Sequence, residues 1–585
     1  MKRLLVLTFA ATLTISAQQA PTPPPPAIPD GYWSESRSKE ILDKTVTIRL
    51  APDLSSLTPD EKAALKDLLE VGAIIQKLYE VQRHPEARSA LDQLRTIDAR
   101  NGSPTRTKNL RTLYRLFQGP IATTLDNKRE PFLPVSPQRP GKNVYPLDVT
   151  REELDAFLAA HPEMREWLLD PRNVVRRETK NNLSLDINAL QLYPILRTMQ
   201  PYYLEMLRAR QVGASEKNFY AVPYTIAYAD DMIGAYNYLI AAARKIEDPE
   251  LARYVWNRAR DFLSNDYESG DASWVTGRFR HINLQLGAYE TYDDALFGVK
   301  AFYGMSIMLK NEKATAELLK ALGGLQVIED ALPYEGHKRV REDIPIGVYE
   351  VFADFGQARG TNTATILPND PLFARRYGRT ILLRENIMRH PDIVANDQRI
   401  WRAVTADAHA NELDPEGNIQ RTLWHEIGHY LGPSGAELAE YGDAIEEMKS
   451  DLVSLFALQK MNHPSLRAIQ AAGIRRTLQN VKPRSDQAYQ TMELIQFNWF
   501  LDRGLLTFDP KTARLSIHYD RYAESVTSLL QEVLKLQREN NKDSAAAFFQ
   551  RWTKWTPELH EKLAARIRGA ETARFRLVTY AALGE

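Results

Sequence analysis

His425 and His429 stand four positions apart with Glu426 directly after the first, in Trp424-His425-Glu426-Ile427-Gly428-His429, and an acidic segment follows at Glu446-Glu447-Met448-Lys449-Ser450-Asp451. On a helix, residues four apart project from one face, so both imidazoles can reach one ion. Glu426 is rotated about 100° from His425 and lies beside that ion rather than on it. Two histidines, a carboxylate from a second helix and an adjacent free glutamate are the donor set and base of a one-zinc hydrolase. The spacing therefore predicts about one Zn2+ per chain, held by His425, His429 and Glu447, with Glu426 as general base. Asp451, one turn beyond Glu447, is placed to accept a hydrogen bond from the far nitrogen of His425, and Glu446 belongs to the same supporting layer. The plain alternative is two helices joined by ordinary ion pairs. The other histidines show no ligand-like spacing.

Two helices must carry these groups. Residues 418–431 fit the first, stopped by Gly432-Pro433, and 443–459 fit the second, with Ile445, Met448, Leu452 and Leu455 on its apolar face. Gly428 weakens the first helix, which makes sense if another backbone approaches closely there. Amphipathic stretches recur at 187–210, 224–245, 249–263, 300–322, 524–537 and 557–568, and Thr58-Pro59-Asp60-Glu61 is a capping box. Strand patterns are fewer: 45–50, 347–355, 379–383, and the pair 505–508 and 515–519 around a turn. The expected class is mainly α with a minor β component (α+β), in two lobes around a cleft, the zinc site lying on two helices of the more helical lobe.

A chain of 585 residues, 44% apolar and 26% charged, exceeds one ordinary core and can bury two. Its 75 basic and 75 acidic residues cancel without long runs of one sign, which argues against nucleic acid or an anionic membrane surface as partner. Met1-Lys2-Arg3, the apolar stretch 4–15 and Ser16-Ala17 read as a signal peptide (1–17), too short to span a bilayer, followed by a Pro-rich spacer (18–31). The fold is expected to begin near Tyr32-Trp33. With no cysteine, disulfides, thiolate metal sites and a lipid-modified N-terminal Cys are excluded. Export to a periplasm or the medium, without stable membrane insertion, is the expected localisation.

With the segments 425–433 (His-Glu-Ile-Gly-His-Tyr-Leu-Gly-Pro) and 446–451 in hand, the chain resembles the dipeptidyl peptidase III family of zinc peptidases, in a bacterial branch with the shorter spacing between histidines. Tyr289-Glu290-Thr291-Tyr292-Asp293-Asp294 is similar to that family's Glu-x-Tyr-x-Asp segment, and Leu367-Pro368-Asn369-Asp370 to its Leu/Ile-Pro-Asn segment. The resemblance implies that Glu290, Tyr292 and Asn369 face the zinc and hold the N-terminus of a peptide substrate, from which dipeptides are released. It also implies an anchoring lobe of 32–299 and 336–395 and a helical catalytic lobe of 300–335 and 396–585. The chain departs from the pattern at Ala301 and Tyr303, where relatives often have acids, and at Ile366 or Thr365, where they often have an Asn. Where relatives place a His that stabilises the transition state, alignment through Asn498 puts Tyr489, whose phenol can still donate to an oxyanion. Two other readings stay open: a zinc hydrolase of another amide or ester, and a non-catalytic zinc-containing envelope protein that binds peptides. An intact Glu426 argues against the second, since a structural zinc needs no base.

Overall fold

Thr58 caps the first long helix, Pro59–Arg83, by the expected box: its side chain accepts from Glu61 N while Glu61 reaches back to the cap. In the computed structural model, residues 28–321, 324–340, 345–360, 363–433 and 438–585 are described. The expected signal peptide and most of the Pro-rich spacer lie outside them. Tyr32 and Trp33 are buried with Phe132 in a small third core, so the packed part begins where the sequence places it. No helix of the described residues is long and apolar enough to cross a membrane.

The fold is mainly helical with small sheets, and two large apolar cores define two lobes. One core collects side chains from 48 to 309, part of 349–393, and the C-terminal strand; the other collects 325–348 and most of the chain after Met388. Thr45–Leu50 is a strand as expected, and it pairs in parallel with Phe575–Tyr580, joining the two ends of the described chain.

The largest sheet among the described residues positions the site. Its strands lie in the order Ile282–Glu290, Phe302–Lys310, Ile346–Gly356, Thr380–Arg384, Ala364–Leu367. All neighbours run antiparallel except the parallel pair of Ile346–Gly356 and Thr380–Arg384. Side chains alternate between the cores: Leu382 enters the first, while Ile381 and Leu383 enter the second. This end of the sheet is thus a partition shared by both lobes. Glu290 ends one of its strands, and Asn369 follows another by two residues.

Three helical expectations are corrected. The stretch 300–322 is not one helix: Phe302–Lys310 is a central strand and only Glu312–Ala321 is helical. A strand covered on both faces lacks alternation, so its apolar run mimics a buried helix. Side chains of Phe302–Lys310 pack in the first core. The stretch 187–210 is broken at Pro194 and Pro201 into separate helices, because proline cannot donate to the preceding turn. The stretch 224–245 is divided at Tyr228.

Candidate metal centre

The motif helix, Pro415–Tyr430, starts at Asp414, whose side chain accepts from Glu416 N, and has Pro415 at its first position. It ends where Gly432 takes a φ of +72°, a conformation suited to glycine, before Pro433. The carboxylate helix, Gly442–Lys460, packs against it and buries Ile445, Met448, Leu452 and Leu455 in the second core. Gly428 faces Ser450 so closely that a Cβ there would lie 2.5 Å from the Ser450 carbonyl oxygen. The missing side chain lets the helices approach until side chains of one reach those of the other.

That approach brings the three expected donors together. Ligand atoms of His425, His429 and Glu447 all lie within 4.8 Å of one another. Oε2 of Glu447 is 3.1 Å from Nε2 of His425 and 3.6 Å from Nε2 of His429. Tetrahedral zinc with bonds near 2.1 Å needs ligand atoms roughly 3.4 Å apart, so the donor types and spacing both fit such an ion. The rings are perpendicular, with centroids 4.9 Å apart. Each far nitrogen is held: Nδ1 of His425 is 2.8 Å from Asp451 Oδ1, and Nδ1 of His429 is 2.9 Å from Glu446 Oε1 and 2.8 Å from Ser450 Oγ. Those contacts direct both Nε2 atoms inward.

Burial alone would push Glu447 up, but His429 and His425 hold it well below the usual carboxylate range. Burial would push His429 down, but Glu447 and then Glu446 carry it up to about 10. Burial also opposes charge on His425, which hydrogen bonds to Asp451 and Glu447 nonetheless raise. Carboxylates thus dominate the centre, which favours a cation there. Glu426 is buried and accepts no hydrogen bond from the described residues; burial raises its pKa, against the pull of His425 and His429.

The facing wall is looser. Tyr292 donates to Glu447 Oε1 at 2.9 Å, and its hydroxyl is 3.3 Å from that of Tyr489. Burial, then the nearby carboxylates, raise both phenols well above their ordinary value, so both keep their protons. Glu290 accepts from Asn369 Nδ2 at 3.3 Å, and burial, then repulsion from Glu447, raise it to about 7. All the named positions therefore gather around one centre. The departures do not: Tyr303 is fully buried with its hydroxyl 2.9 Å from that of Tyr267, and Ala301 and Ile366 are core residues.

Sequence reasoning missed the cations beneath the centre. Arg421 donates to Asp451 Oδ1 at 2.7 Å, and Lys449, wholly buried, meets Glu446 Oε1 at 2.7 Å. Arg421 was visible as the preceding member of the stripe 421, 425, 429. Arg379 donates to the backbone oxygens of His429 and Asn369, at 3.4 and 3.3 Å, and so ties the motif helix to the facing wall. Nothing local marks it.

No protein-family profile matches the chain. A curated relative, Nudix hydrolase 3 of Arabidopsis thaliana, is 23% identical over 450 residues, which is 72% of this chain; the chain spans about half of that relative, 55% of its length. Among solved structures, dipeptidyl peptidase III from Caldithrix abyssi superposes with a TM-score of 0.73 at 24% identity, covering 94% of this chain and 99% of that one. Dipeptidyl-peptidase III from Corallococcus sp. strain EGB gives a TM-score of 0.80 at 23% identity, covering 93% and 97%. The chain therefore has the fold of the dipeptidyl peptidase III structures along nearly its whole length.

Proposed function

We propose that the chain is a zinc-dependent exopeptidase that releases dipeptides from the N-termini of peptides. The carrying observation is the joint geometry of His425, His429 and Glu447, with Glu426 beside them and Glu290 near enough for Glu447 to repel it. A zinc ion held by those donors supplies Lewis acidity toward water and the scissile carbonyl. Glu426 takes the proton of the attacking water and returns it to the leaving amine, a task suited to a carboxylate whose pKa is raised. Tyr489, protonated and next to Tyr292, donates to the developing oxyanion. Glu290 and Asn369 hold the peptide ammonium, and the span from that anchor to the metal donors selects the second peptide bond. Tyr292 bridges the two sides through Glu447.

The lobe before the motif carries the anchor, and the later helical lobe carries the metal. The partner is a peptide rather than nucleic acid, in keeping with balanced charge. Export to a periplasm or the medium rests on the composition of residues 1–17.

The test is digestion of a peptide library by zinc-loaded protein, read by mass spectrometry. Products shortened by two residues, absent when the N-termini are acetylated, are expected. Cleavage at internal positions that ignores acetylation would contradict the proposal, as would no cleavage at all.

A further inference from the structure

Beside the facing wall lies a charged group that the chemistry above leaves unused. Arg83, Arg129, Lys142 and Arg484 interact electrostatically with Asp293 and Asp486, leaving positive charge in excess. Arg484 is matched to Asp486 at 2.8 Å, and Arg83 lies 3.5 Å from Asp293. Arg129 comes only within 3.9 Å of Asp486, and its Nε is buried without a hydrogen-bond partner. Lys142 is 5% exposed, yet its ammonium makes no hydrogen bond or ion pair with a described residue. A buried guanidinium nitrogen without a partner, as at Arg129 Nε, is costly, and a purely structural arginine would be expected to have one. Burial lowers Lys142 to about 8 and Arg129 to about 10, so an arriving anion would be welcome to both.

The group's place suggests what that anion is. Asn127, on the same hairpin as Arg129, bonds to Arg484 Nη1 at 2.8 Å and to Gln487 Oε1 at 2.9 Å, next to the helix that carries Tyr489. Asp293 directly follows Tyr292, whose hydroxyl meets Glu447. Along 290–293, the acidic anchor thus stands at one end and the cationic group at the other, with Tyr292 over the metal donors between them. A peptide whose ammonium sits at Glu290 has its leaving portion directed toward the cations.

We propose that Lys142 and Arg129 form an anion subsite that takes a carboxylate of the bound peptide beyond the scissile bond. The carboxylate comes from the C-terminus of a short peptide or from an acidic side chain, and either source gives a charge-assisted hydrogen bond. The inference rests on the peptidase reading.

Three pentapeptides of one sequence test it: a free acid, its C-terminal amide, and an amide with Glu after the scissile bond. KM is measured for the parent, Lys142→Met, Arg129→Gln and Lys142→Arg, each checked for unchanged thermal melting. In the parent, at least one carboxylate-bearing peptide is expected to show a KM roughly tenfold below the plain amide, with kcat similar. Which one does so identifies the source. Lys142→Met and Arg129→Gln should lose the preference and Lys142→Arg should keep it; Arg129, partly exposed, serves if Lys142→Met fails to fold. Equal KM for all three peptides, or a preference intact in both charge-removing variants, overturns the subsite and leaves the peptidase reading standing. No dipeptide released from any peptide overturns both.

Discussion

His425 and His429 sit one turn apart on one helix and take their partners from one neighbouring helix, whereas Glu290 and Asn369 are 79 residues apart and meet only because a sheet brings two strand ends together. On the metal side both Nδ1 atoms and Nε2 of His425 are hydrogen-bonded, Nε2 of His429 lies 3.6 Å from Glu447, and His425 and Glu447 are buried. On the facing wall Asn369 is exposed and Tyr292 is 38% exposed. A tightly determined region fails all at once, while a loosely determined one fails by degrees. Metal binding and chemistry should therefore be lost abruptly by single changes on the first side, and substrate affinity should decline gradually by changes on the second.

The largest effect is expected for His429→Ala, which should drop peptide hydrolysis to background. Retention of even a tenth of the parent's activity would break the contrast. Glu426→Gln keeps every donor, so activity should fall by ~10²–10⁴-fold with zinc content unchanged, as general acid–base catalysis requires. Asp451→Asn leaves the donors in place but releases the far nitrogen of His425; competition with a chelator should show zinc affinity falling by about 10–100-fold.

On the wall, Glu290→Gln should raise KM for peptides with a free N-terminus by about tenfold, the worth of one charge-assisted contact, with kcat affected less. Its pH dependence follows from the sign of the shift. Burial, then repulsion from Glu447, raise Glu290 to about 7, so the ionised form that holds an ammonium is present above that value and lost as pH falls through it. A cation at Glu447 relieves that repulsion, which places the limb in 1/KM at or below about pH 7. The limb should vanish in Glu290→Gln. An identical limb in parent and variant would remove Glu290 from the anchor.

The same contrast explains what the sequence made legible. The motif helix, the approach at Gly428 and the place of Asp451 follow from helical periodicity and could be read locally; Arg421 lay on the same stripe and could have been. Ile282–Glu290 alternates apolar and polar residues up to Gly287, a strand signal that could have been read locally. Phe302–Lys310 is covered on both faces and does not alternate, so it looks helical in the sequence. The partition sheet depends on pairings across dozens of residues, and Thr45–Leu50 finds its partner at the opposite end of the chain, which no periodicity encodes. Glu290, Tyr292, Asn369 and Tyr489 were found through family resemblance, and only the fold shows why such scattered segments share a centre.

The most direct test is zinc per chain, measured by elemental analysis after exhaustive dialysis of the parent, His429→Ala and Glu290→Gln proteins. About one zinc per chain is predicted in the parent and in Glu290→Gln, and almost none in His429→Ala. Equal zinc in all three, or none in the parent after loading, would contradict the assignment of His425, His429 and Glu447 as the metal centre.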